Sequence, residues 1–552
     1  MVNAWFASCL ELDPERGRSP EVKSGEIGAL NAPATRLPCR HRRRSRRPLW
    51  AMAMTPEQMS LARDALAELK TVSIAAPQPH SAESLSDLLQ RNGIQNASID
   101  LKTLTATGFS RDGMKAIVDL AKTFRPASSQ NSHKASNATL AKFIAAEIIT
   151  HWKTSSAASL TTADFDQLRT AVESWFASQT LVRQHIVPCT LFPLRVASVT
   201  VGPVTLHHLH DLPTGAFGIS REEFWPRPPP RWKQWLRNVW AAIREKPVIA
   251  PKPGGFNFEL IIEFAMQRHA HWLALIEVPG RAMAESISAA DVAADVALAA
   301  IQLVCPGDDM RGLARATARA APVWRVDLSK VEGSGFNIAS SNRVPALARA
   351  PELIALHLAS AKPLLESMGR RLTAYLAATS QLPDLDEAWC DAAYWYHEAL
   401  AESLDTVAVA KLETAIEVLF HAESMSGSKQ RLLESFDAMF GLKGSDLVNP
   451  PSTVSVEQLV TAITTARSRV LHGTWPTLHT DLPTAKGKPA VTYGDVEFLT
   501  RMLLLQFSVH MDAYEAAGRS DDTTDALVAW IKAERLARAA RPPPNPPSNQ
   551  NC

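Results

Sequence analysis

Leu385 to Phe420 reads LDEAWCDAAYWYHEALAESLDTVAVAKLETAIEVLF, and its periodicity decides how the rest of the chain is understood. Trp389, Ala393, Tyr396, Leu400, Leu404, Ala408, Leu412, Ile416 and Leu419 recur at three- and four-residue steps. That spacing gathers apolar side chains on one helical face. The segment is long enough for one long helix or two in succession, with Gly427 as the expected break.

Downstream the same pattern continues. Lys429 to Phe440 predicts a short helix closed by Gly441, Gly444 to Thr453 a loop, and Val454 to His472 a further helix. A polar loop through Pro483 and Pro489 leads to an apolar helix over Gly494 to Tyr514. Asp521 to Ala540 reads as a last, partly basic helix, and Arg541 to Cys552 as a disordered Pro/Asn tail. Residues 385–515 therefore read as a four- or five-helix bundle, with 516–552 as a terminal helix and tail.

Upstream, Thr55 to Lys70 has helical spacing, with Thr55 as N-cap and Pro56 and Glu57 in the first turn. Similar periodicity at Leu85 to Arg91, Met114 to Phe124, Ala138 to Trp152 and Phe165 to Val182 makes 54–188 an N-terminal helical region of unassigned role. Residues 190–384 read as mixed α/β. Val196, Val199, Val201, Val204 and Leu206 around Gly202-Pro203 predict a hairpin, and Phe256 to Met266 and Leu273 to Val278 predict strands. A proline-rich joint leads into Arg231 to Lys246, where Trp232, Trp235 and Trp240 lie at helical spacing among basic residues. That stripe is read first as a packing face, and second as a surface for RNA or an anionic membrane.

Composition sets the frame. The 552 residues, 46% hydrophobic and 21% charged, are enough to bury more than one core, and together with the helical periodicity above the fold class expected is mainly α and multidomain. The net charge of +2 is carried by a leader, residues 1–53, whose first 50 residues hold ten basic and five acidic side chains. Without that leader the chain is slightly acidic. The leader has neither a signal-peptide nor a transit-peptide pattern and reads as disordered or mis-assigned, with Met1, Met52 or Met54 as start. Six scattered cysteines without CxxC pairs favour neither a disulfide framework nor a zinc ribbon, and fit a cytoplasmic protein. No run approaches the roughly 20 apolar residues that span a bilayer. The nearest, Ala289 to Val304, carries Asp291 and Asp295 one turn apart and reads as an amphipathic helix.

One string proposes a chemistry: Arg467-Ser468-Arg469-Val470-Leu471-His472-Gly473, at the end of a periodic segment. Scission of RNA by the neighbouring 2′-hydroxyl needs a base, an acid for the departing 5′-oxygen and a cation beside the phosphorane. Histidine as a residue type titrates near neutrality, so His472 suits either proton role, Arg467 can clamp a phosphate oxygen, and Arg469 lies near for a backbone phosphate. Positions five apart on a helix point about 140° away from each other, so one copy splays the pair. The site then needs distortion at the helix end or a second copy facing the first across a two-fold axis. The same residues also suit a plain helix terminus, where Arg and His meet exposed carbonyls and Gly stops the helix.

The pair of segments KLETAIEVLF (411–420) and RSRVLHG (467–473) resembles the HEPN family, specifically its Apea-like branch. Its pieces are an A-[LI]-E-x-L helix, a short helix, a loop, and R-S-[KR]-[IV]-x-H-G near a helix end. The resemblance implies an all-helical bundle that dimerises and cuts RNA without metal through Arg467 and His472. Glu417, from the A-[LI]-E-x-L segment, is carried over as a supporting residue that orients an arginine or histidine, and Ser468 fills the position after the arginine. The strings VGPVTL (201–206) and WLALIEVPG (272–280) resemble the region that precedes this domain in similar proteins.

His207, His208 and His210, and His269 with His271, have His-x-His spacings but no companion ligands, and are read as ordinary histidines, so no metal or cofactor is expected. There is no GxxxxGK[ST], GxGxxG or GxSxG string, and Gly333-Ser-Gly335 is a lone glycine pair. Two readings remain. One is an RNA-cleaving toxin or phage-defence protein, acting as a homodimer and regulated through its N-terminal and middle regions. The other is a non-catalytic nucleotide-binding or protein-interaction bundle.

Overall fold

A computed structural model describes residues 54–74, 85–125, 132–213, 256–305, 310–317, 324–330, 336–342, 350–422, 425–447, 454–472 and 492–540. The expectations for the leader, for Arg231 to Lys246 and for the C-terminal tail lie outside these. The described fold is mainly α.

The first helix, α1 (Pro56–Ala67), starts as its sequence dictates. The Thr55 hydroxyl accepts from Gln58 N and the Gln58 side chain accepts from Thr55 N, a reciprocal cap just before Pro56. β1 (Leu69–Ser73), α2 (Leu85–Arg91), β2 (Gln95–Asp100), β3 (Thr105–Phe109), α3 (Arg111–Phe124), α4 (Asn137–Trp152) and α5 (Thr162–Ser178) follow. The expectation of a purely helical N-terminal region is corrected here, because β1, β3 and β2 form an antiparallel sheet in that order. These strands are short and rich in Ser, Thr and Asn, so they look like breaks between helices. Only the central β3 is buried along its length, and its Phe109 joins the core of Ile117, Leu120, Ile144, Ile148 and Phe165.

A second, antiparallel sheet follows. β4 (Val182–Thr190), β5 (Val199–Val201), β6 (Val204–His208), β7 (Trp272–Pro279) and β8 (Ala314–Arg315) take the order β5-β6-β7-β4-β8. The hairpin at Gly202-Pro203 and the strand over Leu273 to Val278 are as expected. Phe256–Gln267, expected as a strand, is helix α6. Its aromatic and branched residues suit a strand, but twelve residues broken by Asn257, Glu259 and Glu263 let Ile261 and Ile262 pack together on Leu209, Leu212 and Leu273. Strands β9 (Trp324–Lys330) and β10 (Phe336–Asn342) pair with each other.

Against the large sheet lies α7 (Met283–Val304), the one helix among the described residues long and apolar enough to cross a membrane by length and composition. Of its most apolar stretch, 72% is buried within the protein. Its acid is neutralised rather than solvated. Asp295, 1% exposed, meets Arg315 through Nε at 2.7 Å and Nη2 at 2.8 Å.

The C-terminal part continues from α8 (Pro351–Ser360) and α9 (Lys362–Ala377) into α10 (Pro383–Leu400), α11 (Asp405–Leu419), α12 (Met425–Ser435), α13 (Val456–Leu471), α14 (Tyr493–Ala516) and α15 (Thr524–Ala539). The long periodic segment is two helices. The break after α11 falls at His421, with φ of 49°, and not at Gly427, which sits inside α12. A single π-helical turn, Phe436–Phe440, extends α12 and closes on Gly441 at φ of 70°. One continuous apolar core runs from Val187 on β4 through α7, α10, α11 and α14 to Ile531 on α15.

Candidate functional site

The candidate site is assembled by α11 and α13, which pack side by side within the bundle. α13 is anchored at its start, where the Ser455 hydroxyl accepts from Gln458 N at 3.2 Å and the Gln458 side chain accepts from Ser455 N at 3.0 Å. Val456, Val460 and Ile463 are fully buried and fix its rotation. Four residues further along that helix the chain presents Arg467 towards α11.

Arg467 meets two carboxylates there. Its Nη1 donates to Glu417 Oε1 at 2.7 Å and its Nη2 lies 2.6 Å from Glu417 Oε2, a two-pronged ion pair across the end of the guanidinium. Its Nε lies 2.8 Å from Glu413 Oε2 but without the alignment of a hydrogen bond. The Arg467 side chain keeps 27% of its surface exposed, that of Glu417 keeps 11%, and that of Glu413 none.

Burial sets the charge states. Loss of hydration pushes the Glu413 carboxyl up to about 8, with Glu417 one turn away adding to the rise and Arg467 opposing it. Glu417 is raised by the same loss of hydration, against the pull of Arg467. One cation thus serves two acids. The Ser428 hydroxyl of α12 is buried beside them and weakly opposes the rise of Glu413, although the two do not reach good hydrogen-bond geometry.

His472 is exposed and stands at the C-cap of α13. Its N–H still donates to Ser468 O at 3.0 Å in the helical manner, so the splay from Arg467 persists. Among the described residues no hydrogen bond or ion pair joins the Arg467 and His472 side chains. Ser468 and Arg469 are half-buried, and Gly473 lies outside the described residues.

Of the residues expected at the site, the fold brings Arg467 and Glu417 together and leaves His472 at the surface one turn on. Glu413 was missed. Its signal was present, since Glu413 and Glu417 are four apart and share a helix face.

Elsewhere, His207 pairs with Ser198 at 2.8 Å, and no group of three metal-binding side chains occurs among the described residues. Cys189, Cys305 and Cys390 are buried and unpaired, and burial pushes the thiols of Cys189 and Cys305 up to about 12. No protein-family model, characterised protein or solved structure matches the chain.

Proposed function

We propose that the C-terminal bundle is a HEPN-type endoribonuclease module of the toxin or phage-defence kind, cutting RNA through Arg467 and His472 contributed by two facing copies. The observation that carries this reading is the pairing of a half-exposed arginine, braced by two helix-borne glutamates, with a solvent-facing histidine at the end of the same helix. Chemistry follows from what these groups can do. A histidine takes the 2′-hydroxyl proton, the 2′-oxygen attacks phosphorus, the bond to the 5′-oxygen breaks, and the imidazolium so formed returns the proton to that oxygen. Arg467 stabilises the charge that builds on the phosphoryl oxygens. Because the two side chains diverge on one helix, a second copy supplies the complementary partner.

A second reading is favoured by one observation: all three short Arg467 contacts end on its own bundle, as in a brace between α11 and α13. His472→Ala separates the two. The side chain is exposed, so its loss leaves folding intact, and the first reading expects cleavage of single-stranded RNA by purified protein to fall by about a hundredfold or more. Growth arrest on overexpression should be relieved by the same change. Unchanged cleavage, or no cleavage by the unaltered protein, leaves the brace.

A further inference from the structure

Two carboxylates facing one guanidinium in a water-poor pocket cannot both be ionised without leaving a net negative charge, and the geometry says which one yields. Glu413 has no exposed surface, and neither of its oxygens receives a hydrogen bond. Glu417 sits nearer solvent and takes both Nη groups of Arg467. The groups acting on Glu413 are Glu417 of its own helix, Arg467 of α13 and the Ser428 hydroxyl of α12. Among the described residues α10 and α14, also packed on α11, bring no charge to it.

We propose that Glu413 gates anion binding at Arg467 through its own charge. Uncharged, it leaves Arg467 and Glu417 a neutral couple whose surface-facing guanidinium end accepts a phosphodiester. Ionised, it makes the cluster negative and excludes one. Nε is buried beside Glu413, so the phosphate approaches the Nη end, where it competes with Glu417 alone. The inference rests on the RNA-site reading given above and adds a positioning residue to it.

The test measures binding of a short single-stranded RNA oligonucleotide to the full chain by fluorescence anisotropy, in a His472→Ala background that prevents cleavage, at constant ionic strength. With Glu413 titrating at about 8, affinity should fall about tenfold between pH 7 and pH 9. Adding Glu413→Gln, which holds the side chain uncharged, should keep affinity within about twofold over the same range. An E413Q profile that falls in parallel with its parent overturns the gate. Proton uptake gives a check without altering the cluster: titration calorimetry at pH 8.5 in two buffers of different ionisation enthalpy should show protons taken up with RNA, and zero uptake overturns the proposal. Arg467→Met in the same background separates the two levels. If it weakens binding while E413Q leaves the pH profile unaltered, only the gate fails, and if it binds as tightly as its parent at pH 7, the RNA site itself fails.

Discussion

Glu413 carries a cost that stability measurements can read. Its carboxyl is held above its unfolded range by burial, so the folded protein binds more protons than the unfolded chain between the two values. The stabilising protonated state is fully present below about 4.5 and is lost as pH rises towards about 8. Glu413→Gln has no such term. Its melting temperature should therefore match the unaltered protein near pH 4.5 and exceed it increasingly up to pH 8, and a difference that shrinks with pH would show the sign to be wrong. The residue scale is also where the candidate site was most legible. Arg467, Glu417 and His472 stand in short local strings, whereas the pairing of Arg467 with Glu413 spans 54 positions and depends on how α11 and α13 lie together.

At the scale of elements, the hairpin β5–β6 is locked onto α9 by two glycines back to back. A Cβ on Gly202 would sit 2.3 Å from Gly369 O, and one on Gly369 would sit 2.4 Å from Gly202 N. Gly202 also has a φ of 55°, in the left-handed region. Backbone cannot retreat as a side-chain tip can, so Gly369→Ala should lower stability by about 2 kcal/mol or more. Urea denaturation measures it, and a loss under about 0.5 kcal/mol would mean the contact is slack. Helix starts were legible because capping is local: Thr55 with Gln58 and Ser455 with Gln458 make the same reciprocal cap. α6 and the small N-terminal sheet were not, because branched and aromatic residues fit either periodicity and the polar strands owe their pairing to neighbours far along the chain.

For the molecule as a whole, the proposed chemistry demands that Arg467 of one copy meet His472 of another. Copies bearing Arg467→Ala and copies bearing His472→Ala, each inactive alone, should recover cleavage when unfolded and refolded together, since a mixed dimer retains one intact arginine and one intact histidine. Recovery of about a quarter or less of the parental rate is expected if half the dimers are mixed and each holds one complete pair. No recovery, with mixed dimers demonstrated by native mass spectrometry, points to a site within one copy. Trp389 on α10 donates to Leu504 O at 3.0 Å, and His397 on the same helix pairs with Gln302 on α7 at 2.8 Å. The bundle and α7, which lies against the middle sheet, therefore share one apolar core.

The chain's own periodicity determined that the region 385–515 is built mainly of helices among its described residues, and that an arginine and a histidine stand at the end of one of them. These are consequences of neighbours within a few residues. Tertiary structure alone decided that α7 lies in the core with Asp295 matched to Arg315, and that Arg467 is shared between two buried acids. Whether a charge is solvated or entombed depends on which surfaces meet, and no local spacing records that.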